Sequence, residues 1–179
     1  MINEEFINLS PAEKRIFIAK DVITHLKSRK LYASTLGYFK NSRLFSEVFD
    51  GGQNVDLQAF LNDNQENCSV CAKGALFVAD VIICDNFIVT NENYNSSKAI
   101  EEKLEYFSKE QLDLIEIAFE GCKPFGSNNM FVTYDINNNI TKSYSNIIRW
   151  RQNLKNPYSH AIMIAIMENI IENNGDFVV

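Results

Sequence analysis

Two stretches of this sequence carry residue types and spacings that could do chemistry: the C-x-x-C of Cys68 and Cys71, and the cations interleaved with aromatics between Lys27 and Arg43. A C-x-x-C pair can ligate zinc or cycle between dithiol and disulfide. Cys84 is a poor third zinc ligand, because thirteen residues of continuous helix beyond Cys71 would place it about 20 Å away, against zinc–sulfur bonds of about 2.3 Å. Cys122, His25 or His160 could still complete such a site. A redox pair of the thioredoxin kind sits at a helix start directly after a buried strand, whereas Asn62 to Asn67 reads as polar loop. The reading adopted is two small, soft side chains at the start of a helix, with no metal and no required disulfide.

The cationic stretch suggests different chemistry. Lys27, Arg29, Lys30, Tyr32, Tyr38, Lys40 and Arg43 combine guanidinium forks and ammonium groups with flat rings, a set that binds phosphates and stacks on bases. Arg149, Trp150 and Arg151 repeat the pattern farther along and are candidates for the same site. These ten residues form the expected ligand-binding set, for a nucleotide or another small anion.

Catalytic signatures are missing. There is no G-x-S-x-G, His25 and His160 stand outside any nucleophile motif, and neither Gly51-Gly52 nor Gly121 to Gly126 is followed by the Lys-Ser/Thr of a phosphate loop. The carboxylates Glu101, Glu102, Glu116 and Glu120 are expected on solvated helix faces. No catalytic residue and no cofactor is assigned.

What must position these residues is a largely helical chain. With 179 residues, 46% of them hydrophobic and 12% aromatic, it suits one domain with one substantial core. The expected fold is mainly α: a compact single-domain bundle (residues 1–179) of about six or seven helices with at most one small β-hairpin. Ser10, Pro11 and Glu13 open the first helix with a capping box. Residues 68–84, charged only at Lys73 and Asp80, read as a central buried helix. Short helices are expected over 55–61 and 97–107, a brief strand at Phe87 to Thr90, and a helix from Ser108 to Gly121. A hairpin is expected within 130–144 and a basic helix over 145–155. A last helix ending at Asn174-Gly175 should pair with the central one.

Net charge is −6, which argues against general nucleic-acid binding. The average conceals a division: residues 14–43 balance at +7 and residues 44–120 at −11. Either these faces complement each other within the molecule, or the basic one meets an anionic partner. No apolar run approaches the roughly 20 residues of a membrane span, and M-I-N-E-E-F lacks a basic leader region, so a cytoplasmic location is expected.

C-S-V-C-A-K-G-A-L-F (68–77), F-S-K-E-Q-L-D-L-I-E-I-A-F-E (107–120) and I-A-I-M-E-N-I-I-E-N-N-G-D-F (164–177) resemble a family of small, mostly uncharacterised proteins of bacteriophages and mobile elements. The resemblance covers about a quarter of the chain, mostly core and capping positions, and transfers no catalytic residue. It implies a phage or mobile-element accessory in the cytoplasm of a bacterial host, one that binds and inhibits or sequesters a host component. A nucleotide signal of antiviral defence is one such component and a host protein another; an enzyme degrading the signal is the third reading. A homo-oligomer is compatible with all three.

Overall fold

The computed structural model describes residues 4–35, 37–63, 67–84, 87–120, 139–156 and 158–179, of which 139–145 are described by their backbone. Nine α-helices run through these residues: α1 (Glu4–Ile7), α2 (Pro11–Lys27), α3 (Ser42–Phe45), α4 (Leu57–Asn62), α5 (Ala72–Cys84), α6 (Ser97–Lys103), α7 (Lys109–Glu120), α8 (Asn139–Gln152) and α9 (Ser159–Glu172). A π-helical turn, Ser46–Asp50, continues α3. Five short strands make two sheets: β1 (Leu31–Ala33), β4 (Cys68–Val70) and β2 (Phe39–Lys40) in the order β1-β4-β2, and β3 (Val55–Asp56) against β5 (Ile88–Val89). The protein is mainly helical as expected, but its strands exceed one hairpin.

The expected capping box is present. Ser10 Oγ accepts from the Glu13 amide, and Glu13 returns a bond to the Ser10 N–H at 2.9 Å. From there α2 buries Ile18, Ala19, Val22 and Leu26, one face of a 3.6-residue period. Arg15, at the half-buried edge, donates to the carbonyls of Gly175 and Tyr106, both at 2.7 Å, and pairs with Asp176 at 2.9 Å. One guanidinium thereby ties the first long helix to the α6–α7 connection and the C-terminal tail.

Residues 68–84 are not one helix. Cys68–Val70 alternates buried, half-buried and buried as the middle strand of the larger sheet, parallel to β1 and antiparallel to β2. The helix begins at Ala72, and every residue from Ala72 to Val81 is buried. Period-two burial wins over Cys68–Val70 because Leu31–Ala33 and Phe39–Lys40 flank it and complete its backbone hydrogen bonds. The stretch 31–40, which lacks helical periodicity, supplies those two strands.

Gly74 makes the junction possible. A Cβ there would collide with the Tyr38 carbonyl oxygen, so only glycine lets α5 lie this close to the chain entering β2. The Cys71 amide donates to the same carbonyl at 3.2 Å.

Two further expectations change. The chief partner of α9 is α2, while α5 packs on α2, α7, α6 and α4. Of the expected 130–144 hairpin, residues 130–138 lie outside the described ones, and Ile140 to Tyr144 belongs to α8. Ile140, Tyr144, Ile147, Trp150 and Leu154 recur every three or four residues, and that helical period absorbs the short run expected as a strand.

Candidate functional site

The outer face of the β1-β4-β2 sheet gathers part of the expected ligand-binding set. Tyr32 pairs with Ser69 on one side and Lys40 pairs with Ser69 on the other, so the three lie in one cross-strand row. Adjacent strands are about 4.8 Å apart, which puts the Tyr32 and Lys40 backbones about 10 Å from each other. Leu31, Phe39, Cys68 and Val70 turn inward, and Tyr32 and Lys40 are exposed. The sheet therefore presents a ring, a hydroxyl and an ammonium in register.

Three more cations border this row where α2 feeds β1. Lys27 ends α2, and Arg29 follows in the left-handed conformation (φ 60°). The Lys30 amide donates to the His25 carbonyl at 3.0 Å, closing a Schellman-type cap. Glycine usually holds that position; an arginine there costs about 1 kcal/mol of backbone strain. Among the described residues, Lys27, Arg29, Lys30 and Lys40 make no ion pair.

Four of the other expected residues, Tyr38, Arg43, Trp150 and Arg151, are engaged within the fold. Arg43 Nε meets Glu47 at 2.9 Å, its Nη1 meets Asp63 at 3.2 Å, and its guanidinium lies 5.5 Å from the Phe60 ring centre. Arg151 Nη1 donates to the carbonyls of Ala118 and Phe119 at 2.6 and 2.7 Å, satisfying the C-terminal end of α7. Trp150 stands edge-on to Phe177 at 5.3 Å, and Arg149 beside it is exposed. Tyr38 lies with its ring 5.6 Å from the Lys73 ammonium and its hydroxyl on Ser97.

Lys73 is the functional-looking group that sequence reasoning passed over. It is 1% exposed, and its ammonium reaches Glu116 at 2.8 Å, Glu101 at 3.2 Å and Asp113 at 3.7 Å. Burial opposes the charge, but the hydrogen bonds and attraction of Glu116, followed by Glu101, outweigh it and raise the lysine above its ordinary range. Glu101 is lowered: desolvation opposes this, and hydrogen bonds from Ser97 and Lys73 overcome it. Asp113 is raised by burial. Glu101 and Glu116, expected on solvated faces, instead converge on Lys73. The one sign in the sequence was a lone lysine in an otherwise apolar helix turn.

Cys71 and Cys84 are held in their unreactive form. Cys71 occupies the position before α5 and its sulfur accepts from the Gly74 amide at 3.4 Å, an arrangement that favours thiolate. Burial overrides that bond and pushes Cys71 to about 12. A short strand, Cys68–Val70, stands between the polar stretch Asn62 to Asn67 and the helix, where the helix was expected to begin at Cys68, yet the Cys71 thiol is held protonated. Neither Cys71 nor Cys84 forms a disulfide among the described residues, and Cys84 is likewise raised to about 12 by burial and the neighbouring Asp80. No group of three or more His, Cys, Asp or Glu among the described residues has metal-holding geometry; Cys122 lies outside them.

A second surface feature is aromatic. Phe45 and Phe49 stack at 4.6 Å on the α3–π turn, 48% and 43% exposed, and both meet Tyr94 edge-on. Tyr94 continues through Phe39 to Phe77 in the core. The π-helical register sets Phe45 and Phe49 one above the other, and such turns are frequent at functional positions.

Comparison with protein-family models, with curated proteins and with solved structures finds no match to this chain. No helix of the described residues is long and apolar enough to cross a membrane.

Proposed function

We propose that this chain is a non-catalytic binding protein that holds a small anionic ligand of the nucleotide type on the outer face of the β1-β4-β2 sheet. The observation that carries this reading is the row Tyr32, Ser69, Lys40, bordered by cations without ion-pair partners among the described residues, in a protein of net charge −6. Tyr32 stacks on the base, and Lys40, Arg29 and Lys30 neutralise phosphate. The buried groups argue against turnover, since a protonated thiol and a carboxylate-saturated ammonium are neither nucleophile nor base at neutral pH. The resemblance to phage and mobile-element proteins supports an accessory role in a bacterial host, with a nucleotide defence signal as the candidate ligand.

The test is calorimetric titration with a panel of mono-, di- and cyclic nucleotides, followed by heat release and chemical identification of what was bound. Unaltered ligand, and at least tenfold weaker binding in Arg29→Ala/Lys30→Ala/Lys40→Ala, supports the reading; a chemically altered nucleotide makes the protein an enzyme instead. Phe45 and Phe49 favour a second reading, an inhibitor docking on a host protein through an exposed aromatic pair. Capture of a host protein that is lost in Phe45→Ser/Phe49→Ser, with no nucleotide bound, would select it.

A further inference from the structure

A cleft of about 160 Å³ opens at the other end of α2 from Lys27, lined by Phe6 and Ile7 of α1, Lys14 of α2, Asp80 of α5, Lys103 of α6 and Tyr106 beyond it. Asp80 is only 2% exposed, yet its carboxylate is half satisfied. Oδ1 accepts from the Tyr106 hydroxyl at 2.7 Å and the Cys84 thiol at 3.5 Å. Oδ2 has one partner, the Lys103 ammonium, at the long ion-pair distance of 3.5 Å, and makes no closer hydrogen bond. A buried carboxylate oxygen held by one long ion pair keeps unused acceptor capacity, and a cleft beside it is where a ligand's donor would fill it.

The surroundings select the ligand's chemistry. Lys14 and Lys103 oppose a cationic amine, while Asp80 and Glu105 oppose an anion, so the lining favours a neutral molecule. That molecule must present a donor to Asp80 Oδ2 and beside it an acceptor to the Lys103 ammonium, the pairing found on the edge of an amide. Phe6 stands edge-on to Phe17 and Tyr106 at 5.6 and 6.0 Å, with the Lys14 ammonium 5.6 Å from its ring centre, so the wall is aromatic and cationic and suits a planar ring. The volume resembles cavities of about 150 Å³ that admit a benzene-sized ring.

We infer that this cleft is a binding site for a small neutral molecule with an amide-type edge on a planar apolar body, its N–H on Asp80 and its carbonyl on Lys103. The site is separate from the anion surface on the sheet, and neither reading depends on the other.

Benzamide, benzoate and benzylamine test the assignment, each titrated into the full ¹⁵N-labelled chain while amide shifts are followed. Benzamide should move the Ile7, Cys84 and Glu105 signals and saturate at roughly millimolar concentration, with the two charged probes at least fivefold weaker. Asp80→Asn and Lys103→Met should each weaken benzamide at least fivefold. Should Asp80→Asn fail to fold, Lys103→Met and the exposed-site change Ile7→Ser decide the matter. Equal binding of the three probes, no saturable shift up to about 20 mM, or unchanged benzamide affinity in folded Lys103→Met overturns the inference.

Discussion

Gly74 and Tyr38 meet backbone to backbone, with the Tyr38 carbonyl filling the space a side chain at position 74 would need. The obstacle is main chain at the entry to β2, so no rotamer change can clear it. Gly74→Ala should therefore cost about 3 kcal/mol or more, the upper end of overpacking effects. Ala75→Leu, at a fully buried site facing side chains, should cost about 1–3 kcal/mol. Urea denaturation of the two variants checks the order, and a Gly74→Ala protein as stable as its parent would show that α5 and β2 do not approach so closely.

Lys73 holds α6 and α7 against α5 through Glu101, Asp113 and Glu116. Lys73→Met keeps the aliphatic stem and leaves three carboxylates facing one another. Their partial exposure tempers the penalty of a broken buried pair, giving about 2–4 kcal/mol. Adding Glu116→Gln should recover part of that loss, because one repelling charge is then removed. A double-mutant cycle measures the coupling, and strict additivity would show that the 2.8 Å contact contributes nothing.

Cys71 makes stability fall on the alkaline side. Its thiol titrates near 8.5 in an unfolded chain and at about 12 in the fold. Between those values the native state keeps a proton that the unfolded state has lost. Stability is thus fully present below about pH 8.5 and declines at about 1.4 kcal/mol per pH unit as pH rises toward the folded value. Cys71→Ala should make that slope shallower by about 1.4 kcal/mol per pH unit between about pH 8.5 and 10, with Cys84, also raised to about 12, supplying part of what remains, read from urea midpoints. The same protonation should make native Cys71 about a thousandfold less thiolate than a free cysteine at pH 8.5, so alkylation should require unfolding.

How far the sequence revealed this arrangement depended on the range of the interactions involved. Ser10, Pro11 and Glu13 declared the start of α2 because a capping box is local, and Ser108 with Gln111 did the same for α7. The strand at Cys68–Val70 was hidden, since three residues cannot outvote the apolar helix that follows and its partners lie 29 to 37 residues upstream. Tyr32 and Lys40 could be chosen by type, but only strand register puts both beside Ser69. Arg43 and Arg151 have the same type and serve the fold, because a guanidinium suits a carbonyl or carboxylate partner as well as a phosphate. The Lys73 centre draws carboxylates from two helices more than twenty-five residues away, a convergence no local pattern encodes.

Arg151 and the Tyr32–Lys40 row should separate stability from binding in opposite directions. Arg151 donates to two carbonyls at the end of α7 from a half-buried position, so Arg151→Ala should cost about 1–2 kcal/mol after allowance for partial solvation. Arg151→Lys should recover less than half, since one ammonium cannot reproduce the planar donor geometry at both acceptors. Neither change should alter nucleotide affinity. Tyr32→Ala with Lys40→Ala, both at exposed positions, should leave stability within about 0.5–1 kcal/mol of the parent and weaken nucleotide binding at least tenfold. Binding through the row should also weaken as salt rises from about 0.05 to 0.5 M, because exposed cations are screened over such a range. Calorimetry of the three variants at two salt concentrations reads every part of this pattern. Affinity lost in Arg151→Ala but retained in the Tyr32/Lys40 double variant would move the anion site from the sheet to α8.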